Sequence, residues 1–211
     1  MNLPDRSRRA KCVSYLIGAV VLVSGCTVLD KPTRAAVFDF GAGAMPVAIT
    51  APDGSRPPLA LAEVDAASAF DSTALLYRLA YADAQQLQPY AQARWSMPPA
   101  QLLRQRLRQM LVQQNSVTRE GEVPQQRPLL LRLELDEFSH VFEAPDRSTG
   151  QVRVHATVVQ ASATGDRLVA QRGFAAQRPA PSADAAGGVR ALTAATDAVV
   201  ADIASWVGTL K

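Results

Sequence analysis

Leu129-Leu130-Leu131-Arg132-Leu133-Glu134-Leu135-Asp136-Glu137-Phe138-Ser139-His140-Val141-Phe142 is the stretch on which the fold of this chain turns. Leu129, Leu131, Leu133 and Leu135 alternate with Leu130, Arg132, Glu134 and Asp136. A period of two puts one set on a buried strand face and the other in water. Phe138, His140 and Phe142 continue in the opposite phase. A phase flip inside an unbroken strand pattern predicts a β-bulge near Asp136–Glu137. A turn is expected at Asp146–Gly150, and then Val152, Val154, Ala156 and Val158 alternate with Arg153, His155, Thr157 and Val159. Thr164-Gly165-Asp166 reads as a tight turn into a third strand. There Leu168, Ala170, Phe174 and Ala176 share a face, with Arg172 as the exception. Three consecutive strands of this kind make an antiparallel meander with one buried face.

Two helical patterns flank the meander. After it, Pro179 to Gly188 reads as a loop, and Leu192, Thr196, Val199, Ile203, Trp206 and Leu210 then recur every three or four residues. That spacing predicts a terminal amphipathic helix able to cover the sheet. Before the meander, Ser96 falls in an N-cap region, with Pro98 and Pro99 in a helix's first turn, where a missing N–H costs nothing. Leu102, Leu103, Leu107, Met110 and Leu111 follow at helical spacing to about Gln113, while Arg104, Arg106 and Arg108 read as a solvated basic face.

Further upstream the pattern is that of short strands. Ala35–Gly41 and Pro58–Val64 are two candidates, separated by a stretch rich in Gly and Pro with a turn at Pro52-Asp53-Gly54. Ala67–Asp71 is a connector or a short turn of helix. Leu75–Tyr81 and Tyr90–Trp95 pair as a hairpin around a polar turn. The class is therefore α+β: an antiparallel or mixed sheet with two amphipathic helices packed on one face.

The first residues have a different character. Arg6, Arg8, Arg9 and Lys11 face one acid, Asp5, and an apolar run from Val13 to Val23 follows. The run is shorter than the roughly 20 residues of a permanent membrane span. It ends in Val23-Ser24-Gly25-Cys26, which is similar to the bacterial lipobox. The thiol accepts a diacylglyceryl group as a thioether, and the small residues let an extended backbone enter the peptidase that cuts before Cys26. Residues 1–25 are thus expected to be a signal peptide, 26–34 a lipidated tether and 35–211 a single periplasmic domain. Fully extended, the eight residues from Thr27 to Arg34 reach at most about 26–29 Å, so the domain stays near its membrane. Thr27 stands where Asp would signal inner-membrane retention, which favours the periplasmic face of the outer membrane.

Removing the signal leaves 18 basic and 18 acidic residues. The basic balance of the whole chain is therefore no argument for nucleic acid as a partner. Cys12 leaves with the signal, and Cys26 is blocked by its lipid, so no intramolecular disulfide is expected.

No catalytic constellation stands out. There is no nucleophile-elbow, Walker or dinucleotide motif. His140 and His155 lie on neighbouring strands and could meet across a hairpin, but no third metal ligand has recognisable spacing; both read as polar-face strand residues. Glu134, Asp136 and Glu137 read as solvated carboxylates. Tyr77, Tyr81, Tyr90 and Trp95 form a dense aromatic group, either core packing or a partner surface. No catalytic residue, metal or cofactor beyond the covalent lipid is expected.

Leu76-Tyr77-Arg78, Tyr90, Ala93-Arg94-Trp95, Pro98-Pro99 and the Leu-rich segment after them resemble the ABC-type transport auxiliary lipoproteins. That family includes the PqiC (paraquat-inducible C) group, paired with mammalian-cell-entry (MCE) transport systems. Phe38-Asp39-Phe40-Gly41 and the terminal helix fit the same pattern, while the stretch between Arg78 and Arg94 is longer than the family's. The resemblance implies a TolB-N-terminal-like layer and a non-enzymatic lipoprotein on the outer membrane. It also implies docking of an MCE-domain protein and its ABC transporter, with phospholipid as cargo. The expected docking residues are Tyr77, Arg78, Arg94, Trp95, Pro98 and Pro99. Rival readings are an assembly lipoprotein for a secretin, lipopolysaccharide translocon or cell-wall synthase, an envelope hydrolase built on His140 or His155, and direct lipid carriage in a pocket. A homo-oligomer is left open.

Overall fold

Residues 34–43, 58–113, 128–162 and 165–210 are described by the computed structural model of the chain. The expected signal peptide, the tether up to residue 33, the Pro52-Asp53-Gly54 turn and Thr164 lie outside them. The described residues from Ala35 onward form one compact unit.

The strands are β1 (Ala36–Phe38), β2 (Leu59–Ala66), β3 (Ala74–Leu79), β4 (Leu87–Trp95), β5 (Leu129–Ala144), β6 (Arg147–Ser162) and β7 (Gly165–Pro179). The helices are α1 (Pro99–Gln113) and α2 (Ala185–Val207), with a short 3-10 turn at Ser68–Phe70. Among the described residues one mixed sheet of seven strands runs β1-β4-β3-β5-β6-β7, with β2 also paired to β5. The fold is α+β, as the periodicities predict.

β5 organises the sheet because it is long enough to serve two neighbours on one edge. Its first half pairs in parallel with β2, from Leu59↔Leu129 to Ala66↔Leu135. Its second half pairs in parallel with β3, at Tyr77↔His140 through Leu79↔Phe142. Its other edge pairs antiparallel with β6 throughout. The expected bulge is present, as a register shift between Leu135 and Glu137. It turns Phe138, His140 and Phe142 toward the side that Leu131, Leu133 and Leu135 face before it. β3 and β4 form the expected antiparallel hairpin, and β1 closes that end by pairing in parallel with β4.

Both helices join one hydrophobic cluster. Leu103, Leu107 and Leu111 of α1, and Leu192, Val199 and Ile203 of α2, are fully buried against β5 and β6 residues such as Leu131 and Val154. Each such side chain contributes roughly 1.5–3 kcal/mol by leaving water. α1 packs on β2 and on α2, which lies over β5, β6 and β7.

Four sequence expectations are corrected. The β5–β6 turn is only Pro145-Asp146, tighter than a turn at Asp146–Gly150. α2 begins at Ala185 rather than after Gly188, because Asp184 caps it by accepting from the Gly187 N–H at 2.6 Å. α1 starts at Pro99, and the carbonyl of Pro98, not a group of Ser96, accepts from the Gln101 and Leu102 N–H groups. On β7, a bulge between the pairs Val158↔Ala170 and Val159↔Leu168 turns Leu168 outward, where it is 57% exposed. Val169 packs on the core in its place.

The basic face of α1 is not simply solvated. Arg106 grips Asp197 of α2 with two hydrogen bonds, 2.6 and 3.2 Å. Arg104 reaches Glu63 at 3.2 Å and the Ala62 carbonyl at 3.1 Å, tying α1 to β2. Helical spacing shows that these arginines leave the apolar stripe; only the packing of α1 on α2 and β2 supplies their partners.

Candidate functional site

The six expected docking residues sit on β3, β4 and the start of α1, but they do not form one surface. Trp95 ends β4 with its ring edge-on to Phe40 and Phe138, each 5.6 Å away between centroids, and is 1% exposed. Pro99 is also buried. Neither is available to a partner in this structure, which corrects their assignment as contact residues. β1 lies against β4 and brings Phe40 over the Trp95 ring, so these two residues belong to the core. The indole Nε1 has no hydrogen-bond partner there.

Arg78 holds the hairpin closed. Its guanidinium donates to the carbonyls of Ala84 and Gln85 in the β3–β4 turn at 2.9 and 3.2 Å. It also meets Glu137 of β5 at 3.5 Å, with both side chains mostly buried. A strand charge with three such acceptors fixes the turn rather than presenting itself. Tyr77 points the other way along the alternation, donating to Gln88 Oε1 at 2.7 Å and packing on Tyr90 at 4.7 Å. Arg94 is exposed, paired across β4 with Val37 of β1, itself 54% exposed, and Pro98 is half-buried. Tyr81, at the end of the hairpin, is 48% exposed. The aromatic group thus divides into a core residue, a tilted contacting pair and an exposed tip.

Behind the hairpin lies a polar cluster that the sequence reading missed. His140 is fully buried. Its Nδ1 lies 2.8 Å from the Tyr90 hydroxyl and its Nε2 2.8 Å from the Ser148 hydroxyl. A neutral imidazole donates from one nitrogen and accepts at the other, and a hydroxyl serves in either role, so both tautomers are satisfied. Phe142 packs on the ring at 4.4 Å. The first turn of α2 closes the cluster, because a Cβ at Gly188 would overlap His140 Nδ1. Gly150 permits the same close approach one strand over, where a Cβ would lie 2.5 Å from the Leu192 nitrogen.

Burial dominates the electrostatics here. Desolvation pushes the His140 pKa down to about 4, against the opposing charges of Asp184 and Glu143. The same loss of water raises the Tyr90 hydroxyl well above its usual range, with Tyr77 and Asp184 adding to the shift. Asp184 is held below the usual carboxylate range, chiefly by the Gly187 N–H and then by the Ser182 hydroxyl. His140 is therefore neutral at physiological pH.

His140 and His155 do not meet. The former lies opposite Gly150 and the latter opposite Glu134, at different levels of the β5–β6 ladder. His155 is partly exposed, 4.0 Å from Asp136. The reading of His140 as a polar-face residue is corrected: the bulge turns it inward, and α2 then covers it. The signal in the sequence was the pair Gly187-Gly188, together with Gly150 beside the strand, each marking a place where backbone or ring comes too close for a side chain. Glu134 and Asp136 are exposed, as expected, whereas Glu137 is engaged by Arg78. Among the described residues no group of three His, Cys, Asp or Glu side chains is placed to hold a metal ion, and no helix is long and apolar enough to cross a membrane.

A mixed sheet built around one bulged central strand and backed by two helices is an α+β layer architecture. The chain belongs to the ABC-type transport auxiliary lipoprotein component family, whose model matches residues 43–204. Its fold is similar to that of protein XCC0632 from Xanthomonas campestris, a member of family DUF330, at 20% identity and a TM-score of 0.63 over 82% of this chain and 96% of that one. A second crystal structure, of an uncharacterized protein, is similar at 13% identity and a TM-score of 0.61, over 82% and 99%. Curated protein sequences offer no match.

Proposed function

We propose that this protein is a lipoprotein anchored through Cys26 to the periplasmic face of the outer membrane, where it serves as a non-catalytic docking component of an MCE-type ABC system that moves lipid between membranes. The observation that carries this reading is the family match over residues 43–204, joined to the lipobox Val23-Ser24-Gly25-Cys26 ahead of it. Acyl chains on Cys26 supply the two or more lipid signals needed for stable attachment. Docking falls to Arg94 and Pro98, with the exposed Val37 beside Arg94. Tyr77, Arg78, Trp95 and Pro99 act from beneath, by holding the β3–β4 hairpin and the start of α1 in place. The non-catalytic reading is supported by burial: Ser148 and His140 are within hydrogen-bond reach, yet they are 4% and 0% exposed, and the third member is a tyrosine rather than a carboxylate.

The test is capture of the full-length lipidated protein from mildly solubilised envelopes, with bound proteins identified by mass spectrometry. Recovery of an MCE-domain protein and its ATPase is expected, and Arg94→Glu should abolish it without changing thermal stability. Recovery of a secretin, a lipopolysaccharide translocon or a cell-wall synthase instead would transfer the docking role to that machine. Cys26→Ser should abolish labelling by radioactive palmitate; a labelled mutant would remove the anchor from the proposal.

A further inference from the structure

β7 pairs with β6 along its whole length and, among the described residues, has no strand on its other side. Alternate residues of this fifteen-residue sheet edge therefore present backbone N–H and C=O groups outward. The edge is also charged in an ordered way. Arg167, Arg172 and Arg178 lie opposite Gln160, Ala156 and Gly150 of β6, three positions of the same parity on a strand without irregularity there. They therefore share one face, over about 33 Å of strand. The bulge at Val169 is what brings Arg167 into line, since in a regular strand it would face away from Arg172 and Arg178. The same bulge turns Leu168 to the opposite face, exposed.

None of the three arginines meets a carboxylate among the described residues. Arg167 donates to Gln160 at 2.8 Å, Arg172 lies 5.2 Å over the Phe174 ring, and Arg178 donates to the Gln177 carbonyl at 2.9 Å. The one acid of β7, Asp166, is taken by Arg132 at 2.6 Å. The edge thus offers an unread backbone, three unneutralised cations on one face and an apolar side chain on the other.

We propose that the free edge of β7 takes up an extended polypeptide segment of alternating acidic and apolar residues, which adds as an eighth strand with its carboxylates over the arginines. A peptide backbone is the ligand that reads a strand edge, by main-chain hydrogen bonds, while its alternate side chains supply the selectivity. A second copy of this chain is a poor occupant, because pairing two such edges sets arginines against arginines. A lipid surface would meet the charges but leave the backbone groups unread. Charged edges also protect sheets from aggregation, and that more modest role is what the experiment must distinguish. The inference rests neither on the lipid anchor nor on an MCE partner.

The test uses the full-length protein in detergent and two fluorescent octapeptides of equal charge, one alternating Glu and Val, the other alternating Glu and Pro. The first can form the ladder; in the second, proline fixes φ near −65° at every other residue, away from the extended backbone of an antiparallel strand, and removes the N–H there. Anisotropy should show binding of the Glu-Val peptide and binding at least tenfold weaker for the Glu-Pro peptide. A triple Arg167→Gln, Arg172→Gln, Arg178→Gln variant, exposed at all three positions and so expected to fold normally, should bind the Glu-Val peptide about tenfold more weakly, the loss expected for three exposed ion pairs. Equal binding of both peptides would reduce the edge to a charged patch. No binding of either, or full binding by the triple variant, would leave the arginines as edge protection and overturn the proposal.

Discussion

Lowering the pH should loosen this protein through His140, by an amount its surroundings set. The imidazole titrates near 6.5 when the chain is unfolded. In the fold, burial holds it down to about 4. Because the folded value is the lower one, the unfolded chain binds this proton first as pH falls. The stability is fully present above pH 6.5 and is lost progressively between 6.5 and 4. At pH 4.5 the difference amounts to about 2–3 kcal/mol from this one group, against almost nothing at pH 7.5. Tyr90 and Ser148 can accept from a charged ring, and Asp184 and Glu143 pull its pKa upward, but burial outweighs them. Asp184 pulls in the same direction at lower pH, because its folded pKa is also depressed. The comparison must therefore be between the wild type and His140→Gln, each unfolded with urea at pH 7.5 and 4.5. With a slope of about 2 kcal/mol per molar urea, the wild-type midpoint should fall by roughly 1 M more than that of the variant. The variant will be less stable at both pH values, having lost a well-packed ring, but its pH response is the quantity read. Parallel shifts in the two proteins would refute the account, and would mean that water reaches the ring or that a counter-charge stabilises it.

Gly188→Ala should destabilise the fold by about 1–3 kcal/mol, despite the better helix propensity of alanine, because the new methyl group overlaps a ring held by two hydrogen bonds; thermal melts of the isolated variant check this. Asp184→Ala removes the cap of α2 and should lower the melting temperature at neutral pH, with faster amide exchange at Gly187. Arg78→Ala releases the β3–β4 turn and leaves Glu137 without its cation; a loss of roughly 1–3 kcal/mol and faster exchange around residues 82–86 are expected, and unchanged exchange there would refute the latch. Trp95→Ala should cost roughly 3–5 kcal/mol, so any loss of partner capture in that variant must be read against its melting curve.

The periodicities account for most of the fold. Alternating leucines at 129–135, the phase flip after Asp136 and the leucine stripes of both helices each have one physical reading, because a strand repeats every two residues and a helix every 3.6. Local sequence sufficed for these, since each pattern is complete within a dozen residues. It did not suffice where the outcome depends on what another element covers. Trp95 carries the same signature whether it anchors a partner or fills a core; β1, arriving from more than fifty residues upstream, puts it in the core. His140 lies on the inward face after the bulge, yet only the packing of Gly188 against it determines that it is dry and neutral. Arg78 and Arg106 are surface charges by pattern, and partners by tertiary contact with Glu137 and Asp197. The sequence by itself determined the elements, the lipobox pattern and the family resemblance. Tertiary structure alone decided which polar groups lose their water, because desolvation depends on neighbours that are distant along the chain.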